Sequence, residues 1–138
     1  MSIIKTTQAL ILGLLMTGAH ESIAQGWPTS PAQRAQVFAV CAGRLSALAD
    51  HQRYLDANAA DRAETQRLAF DALLQAVMPD ALDYGMPGAQ ALNWRMHAKL
   101  AQSSLLMRAD FNSDDQVKAR ARAAAEAFLN ECDGFVLS

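Results

Sequence analysis

The residues of this chain with chemical potential are few and scattered. Cys41 lies in "FAVCAGRLSALA" and Cys132 in "FLNECDGF". Neither belongs to a C-x-x-C pair, so no thioredoxin-like redox site is encoded, and no C-x-x-C-H offers covalent attachment to haem. Downstream of the first two dozen residues stand two histidines, His51 and His97. They form no H-x-x-x-H and no E-x-x-H, the spacings that put two ligands on one helical face. A metal centre would need the helices carrying His51 and His97 side by side. Haem held between methionine and histidine would draw on Met78, Met86, Met96 or Met107. Met96 and His97 are neighbours about 100° apart on a helix and cannot flank one ligand. Methionines at helical spacing are ordinary core filler.

Other motifs dissolve on inspection. "DFNSD" places Asp110, Asn112 and Asp114 like the opening of a calcium loop. Its sixth position is Asp115 where glycine is needed, and its twelfth is Ala121 where glutamate is needed. Helix capping accounts for the same residues. There is no G-x-S-x-G and no glycine-rich phosphate loop. Ser103 and Ser104 sit inside a helical pattern as small packing residues. Lys118, Arg120 and Arg122 do not share one helical face, and the net charge is −2, so no nucleic-acid surface is expected. The sequence therefore predicts a protein that is not an enzyme and carries no cofactor or metal.

The first 24 residues differ from the rest. One positive charge, Lys5, precedes an apolar run from Ala9 to Met16, then polar "HESIAQ", with Ser22 and Ala24 as small residues before a cut ahead of Gln25. This is the three-part pattern of a secretory leader, with a rival cut after Ala19. The run is far shorter than the roughly 20 residues a bilayer span needs. Residues 1–24 are thus expected to be a signal peptide and 25–138 one domain, exported to a bacterial periplasm with no stable membrane span. In that oxidising setting an even pair of cysteines reads as one disulfide, Cys41 to Cys132. It would close a loop of about 90 residues, worth roughly 2–4 kcal/mol in practice.

The elements that must position these residues are helical. The chain has 138 residues, of which 51% are apolar and 19% charged, with only 4 Pro and 7 Gly. Ser30, Pro31 and Gln33 form a capping box with proline at the first helical position. Phe38, Cys41, Leu45, Leu48, Gln52 and Leu55 then trace one face, and the helix is expected to end at 56–58. A second helix starts at Asn58 or Asp61, buries Phe70, Leu73, Leu74, Val77 and Met78, and stops at Pro79. A connector runs from Pro79 to Gly88, with Pro87 opening a third helix. That helix carries Leu92, Met96, Leu100, Ser103 and Met107 on one side. Trp94, Ala98, Ala101 and Leu105 form an adjoining stripe, and so wide an apolar surface predicts a well-buried helix. Ser113 and Gln116 cap a fourth helix bearing Val117, Ala121, Ala124, Phe128 and Cys132. Gly134 is expected to end it in the left-handed conformation.

Four such helices with short links predict an all-α antiparallel bundle, the first and last tied by the disulfide. With Cys41 on Cys132, Phe38 would meet Phe135, Leu45 would face Phe128, Leu48 would face Ala124 and Ala125, and Leu55 would face Val117. The functional expectation is an accessory, adaptor or inhibitor-like protein that binds another exported protein. Trp27, Tyr84 and Met86 are its expected surface, because recognition often sits on loops of rigid scaffolds. The alternative is a carrier of haem, metal or a small apolar ligand through His51 or His97.

Overall fold

The computed structural model describes residues 28–135. The leader and Trp27 lie outside the described residues. Four helices follow one another: α1 Pro31–Gln52, α2 Ala57–Asp83, α3 Gln90–Phe111 and α4 Asp115–Asp133. They pack as an all-helical bundle, with no strand among the described residues.

Local chemistry sets most boundaries. The Ser30 side chain accepts from the Gln33 N–H, and the Gln33 side chain accepts from the Ser30 N–H, so the capping box is complete. Asp56 caps α2 by accepting from the N–H groups of Asn58 and Ala59. α1 ends at Gln52, earlier than the 56–58 the sequence pattern indicated, and α2 starts at Ala57, so Leu55 lies in the turn between them, exposed. At α4 the cap is Asp114, not Ser113; its carboxylate accepts from Gln116 and Val117. Gly134 has φ −62 and so does not take up the left-handed cap.

Pro79 does not stop α2. A proline inside a helix forfeits one hydrogen bond and crowds the preceding turn. Here tertiary packing outweighs that cost. Ala81, two residues on, is fully buried with Ala35, Ala39, Ala91 and Met86. The helix runs on to Asp83, leaving a connector of residues 84–89. Gly85, at φ +92, makes the reversal that other residues resist. Pro87 stays in this connector, and its carbonyl accepts from Gln90 at the start of α3.

α1 is the hub. It packs extensively on α2 and α3 and touches α4 near the disulfide, while the backbones of α2 and α3 stay more than 8 Å apart. α1 and α3 run in the same direction: Ala35 shares a cluster with Ala91, and Ala47 shares one with Leu106. Their closest approach is at Gly43, where a Cβ would stand 2.2 Å from the Arg95 carbonyl oxygen. Any side chain there would push the helices apart.

Cys41 and Cys132 are bonded, with Cα atoms 5.6 Å apart. Around them Phe38, Leu45 and Phe70 are buried, with Leu48, Leu129 and Phe135 packed on the cluster. The expected α1–α4 register holds at two levels, but at Leu45 it is Leu129 that joins the cluster, while Phe128 stacks under Arg44. Phe38 and Phe135 join one cluster, and Leu48 packs with Ala125 in another. It does not extend to Leu55.

Candidate functional site

The third helix departs most from expectation, and it supplies the candidate site. The stripe Leu92, Met96, Leu100, Ser103, Met107 does not face the core. Leu92 is 60% exposed and Leu100 is 63% exposed; Met96, Met107 and Phe111 are exposed as well. The buried positions are Ala91, Gln102, Leu106 and Ala109, with Trp94, Ala98 and Leu105 half-buried beside them. Neither expected stripe is the buried face: Trp94, Ala98 and Leu105 are half-buried at its edge, and Ala101 is exposed. The inward face, with Ala91 and Ala109, lies between the half-buried stripe and the Arg95 and Lys99 backbone that Gly43 approaches.

Ion pairs fix the orientation of α3. Arg95 Nη1 lies 2.8 Å from Asp71 Oδ1 on α2, and Asp71 also pairs with Arg67. Lys99 Nζ lies 2.7 Å from Asp50 Oδ2 on α1. On the other flank the buried Gln102 donates from Nε2 to the Ala125 carbonyl of α4 at 3.2 Å. With α1 behind, α2 on one side and α4 on the other, the remaining quarter of the helix faces outward. An apolar line, Leu92, Met96, Leu100, Met107 and Phe111, runs along it, with Asn93, His97 and Arg108 exposed on its flank.

At the C-terminal end of the stripe, the face opens into a cleft of about 390 Å³. Its walls include His51, Tyr54, Leu55, Ser103, Met107 and Phe111. His51 Nε2 is 2.6 Å from Asp110 Oδ2, and the imidazole stands edge-on to Phe111 with ring centroids 6.1 Å apart. The His51 hydrogen bond holds the Asp110 carboxyl below its ordinary value; partial burial opposes this and a bond from Arg122 assists. An ionised carboxylate only accepts, so His51 donates through Nε2, and that nitrogen is already engaged. Asp110 thereby joins α1, α3 and α4, since Arg122 also donates to the Ala109 carbonyl at 3.2 Å. No hydrogen bond links Ser103 to His51 among the described residues.

The other expected site residues are dispersed. His97 is exposed on α3 and lines a separate groove with Trp94, Arg44 and Phe128. The structure does not bring His51 and His97 together, and no group of three or more potential metal ligands occurs among the described residues. Tyr84 is exposed at the tip of the α2–α3 turn. Met86 is buried: its N–H donates to the Ala81 carbonyl and its side chain anchors the turn against α1. It supports the loop and is not part of its surface. Arg44 covers the disulfide end, bonding the Phe128 carbonyl at 2.8 Å and Glu131 Oε2 at 2.7 Å while stacking on the Phe128 ring.

Sequence reasoning missed the outward face of α3, Tyr54 and Leu55, and the His51–Asp110 pair. The alanines at 91, 98 and 109, together with Gly43, were the available signal of a close helix contact. No known protein family, curated protein or solved structure matches the chain.

Proposed function

We propose that the protein is a small exported binding protein that acts through its surface, in an accessory, adaptor or inhibitor-like role, without turnover. Support for export comes from the leader pattern in residues 1–24 and from the disulfide, a bond that persists in oxidising compartments. The bacterial periplasm is the compartment this combination favours. No described helix is long and apolar enough to cross a membrane.

The observation that carries the reading is the outer face of α3. Leu92, Met96, Leu100, Met107 and Phe111 form one exposed apolar line on a rigid helix. Contiguous exposed apolar surface of this kind marks interaction sites. Its shape suits a partner that lays an amphipathic helix along it, with anchors at helical spacing. The partner in this reading is another exported protein.

The test is retention on the immobilised, disulfide-intact protein. Wild type should hold a defined protein from the exported fraction, and Leu92→Glu and Leu100→Glu should each release it. The same result should follow with that protein purified. Retention indifferent to both substitutions, or a turnover abolished by changing one polar side chain, contradicts the proposal.

A second reading draws on the cleft at His51, whose walls are largely apolar. It is a carrier of a small apolar molecule. Solvent extraction of protein purified from its native compartment, followed by mass spectrometry, should then release a stoichiometric compound. An empty extract ends that reading.

A further inference from the structure

We propose that the outer face of α3 is occupied by a second copy of this chain, the two α3 helices lying antiparallel about a two-fold axis that passes between Leu100 and Ser103. The inference rests on reading that face as a docking surface, and it makes a second copy of the chain, in place of a different exported protein, its occupant.

The spacing of the stripe is the first support. Leu92, Met96, Leu100, Ser103, Met107 and Phe111 are separated by four, four, three, four and four positions. The average step, 19/5 = 3.8 residues, slightly exceeds the 3.6 of a helical turn, so the line winds gradually by about 100° around α3 from end to end, evenly about its centre. It also reads the same from either end. When two copies are laid antiparallel about the centre, every member meets another member: Leu92 meets Phe111, Met96 meets Met107, and Leu100 meets Ser103. A two-fold interface requires such self-complementarity. The small Ser103 opposite Leu100 lets the helices approach at the axis. No charged residue lies on the line, so no like charges are brought face to face. A parallel arrangement would instead pair each residue with itself and align the two helix dipoles, which repel.

The cleft at the end of the face is the second support. In the antiparallel pair, Leu92 of one copy falls at Phe111 of the other, at the mouth of the cleft walled by His51, Leu55 and Met107. An exposed leucine and an apolar recess thus coincide at both ends of the interface.

Area is the third. The exposed parts of Leu92, Met96, Leu100, Met107 and Phe111, with Tyr54 and Leu55 beside the cleft, are all large. A standard stable interface buries about 800 Å² from each partner, and these seven large apolar side chains, each 45% exposed or more, form the contiguous surface from which such an interface would be drawn.

The test uses the oxidised chain without its leader, followed by sedimentation equilibrium across a wide concentration range. Wild type should reach twice the chain mass, and Leu100→Glu should stay at the chain mass with unchanged helical circular dichroism. Met107→Lys should behave like Leu100→Glu, guarding against a local folding defect in either variant. Register is read by cysteine cross-linking: Ser103→Cys should link two copies, because the site lies near the axis, and Leu92→Cys should not. Efficient linking through Leu92→Cys overturns the antiparallel arrangement. A wild-type chain that stays monomeric at every concentration overturns the dimer and leaves the face open to a different protein. A dimer indifferent to both charge substitutions forms through another surface and overturns the proposed dimer face, while the docking surface is judged separately by the retention test.

Discussion

The two faces of α3 carry opposite sizes of side chain. Inward lie Ala91, Ala98 and Ala109, with Leu106 and the buried Gln102; outward lie Leu92, Met96, Leu100, Met107 and Phe111. A helix that only lines its own core has its large apolar residues inside. Here the inner face is built for proximity, and at Gly43 the α1 backbone reaches the α3 backbone with no room for a Cβ. Small side chains bury little area, at about 25 cal/mol per Å² of apolar surface. Position is therefore fixed by close contact, by the Arg95–Asp71 and Lys99–Asp50 pairs, and by the Gln102 hydrogen bond. The outer face holds apolar area that the single chain does not use in folding. The contrast separates two roles along one helix: stability inside, recognition outside.

That separation can be broken from either side. The largest expected effect is on the frame holding the inner face. Replacing Cys41 and Cys132 together by serine should lower the unfolding free energy by roughly 3–4 kcal/mol, as expected for a bridge closing so long a loop, and urea titration would read it. Next is Gly43→Ala, which forces a methyl group onto the Arg95 carbonyl. We expect a loss of about 2–3 kcal/mol, as for overpacked cores, again read by urea titration.

The acid limb of stability should respond to Asp110. Its pKa is depressed in the folded protein, so its stabilising effect is full above the unfolded value and is lost as pH falls through the folded one. For Asp110 that window lies below its ordinary value of 3.8. Asp110→Asn should remove this part of the acid sensitivity while leaving the shape of the curve at neutral pH unchanged; thermal melts across that pH range would show it. The smallest effect on stability belongs to the outer face. Leu92→Gln or Leu100→Gln should change the unfolding free energy by no more than about 0.5 kcal/mol, the range of exposed positions, and a melt of the dilute protein would measure it. A large loss there would mean that the outer face helps to hold the single chain.

Much of this architecture is legible in the sequence because its signals are local. Ser30 with Gln33 announces the start of α1 through side-chain chemistry that needs no distant partner. The disulfide is legible because only two cysteines exist and both lie on helical stripes that match when aligned. Pro79 is different. Whether a helix survives a proline depends on what the following turn packs against, and Ala81 finds its place against Ala35 and Ala39, some forty positions earlier. The orientation of α3 was hidden for a similar reason. Periodicity marked two apolar stripes, but the face that turns in is a third, Ala91, Gln102, Leu106 and Ala109, which is chosen by the small residues α1 presents and not by hydrophobicity. The candidate site inherits the difficulty: His51 meets Asp110 across 59 positions of chain, and Asp110 alone reads as part of a loop motif.

Oxidative footprinting of the methionines tests the account most directly, because one experiment reads both sides of the comparison. In dilute, disulfide-intact protein, Met96 and Met107 should oxidise readily while the buried Met86 resists. As concentration rises, Met96 and Met107 should become protected together and Met86 should not change. Equal reactivity of Met86 and Met96 in dilute protein, or no joint protection of Met96 and Met107 on concentration, would contradict it.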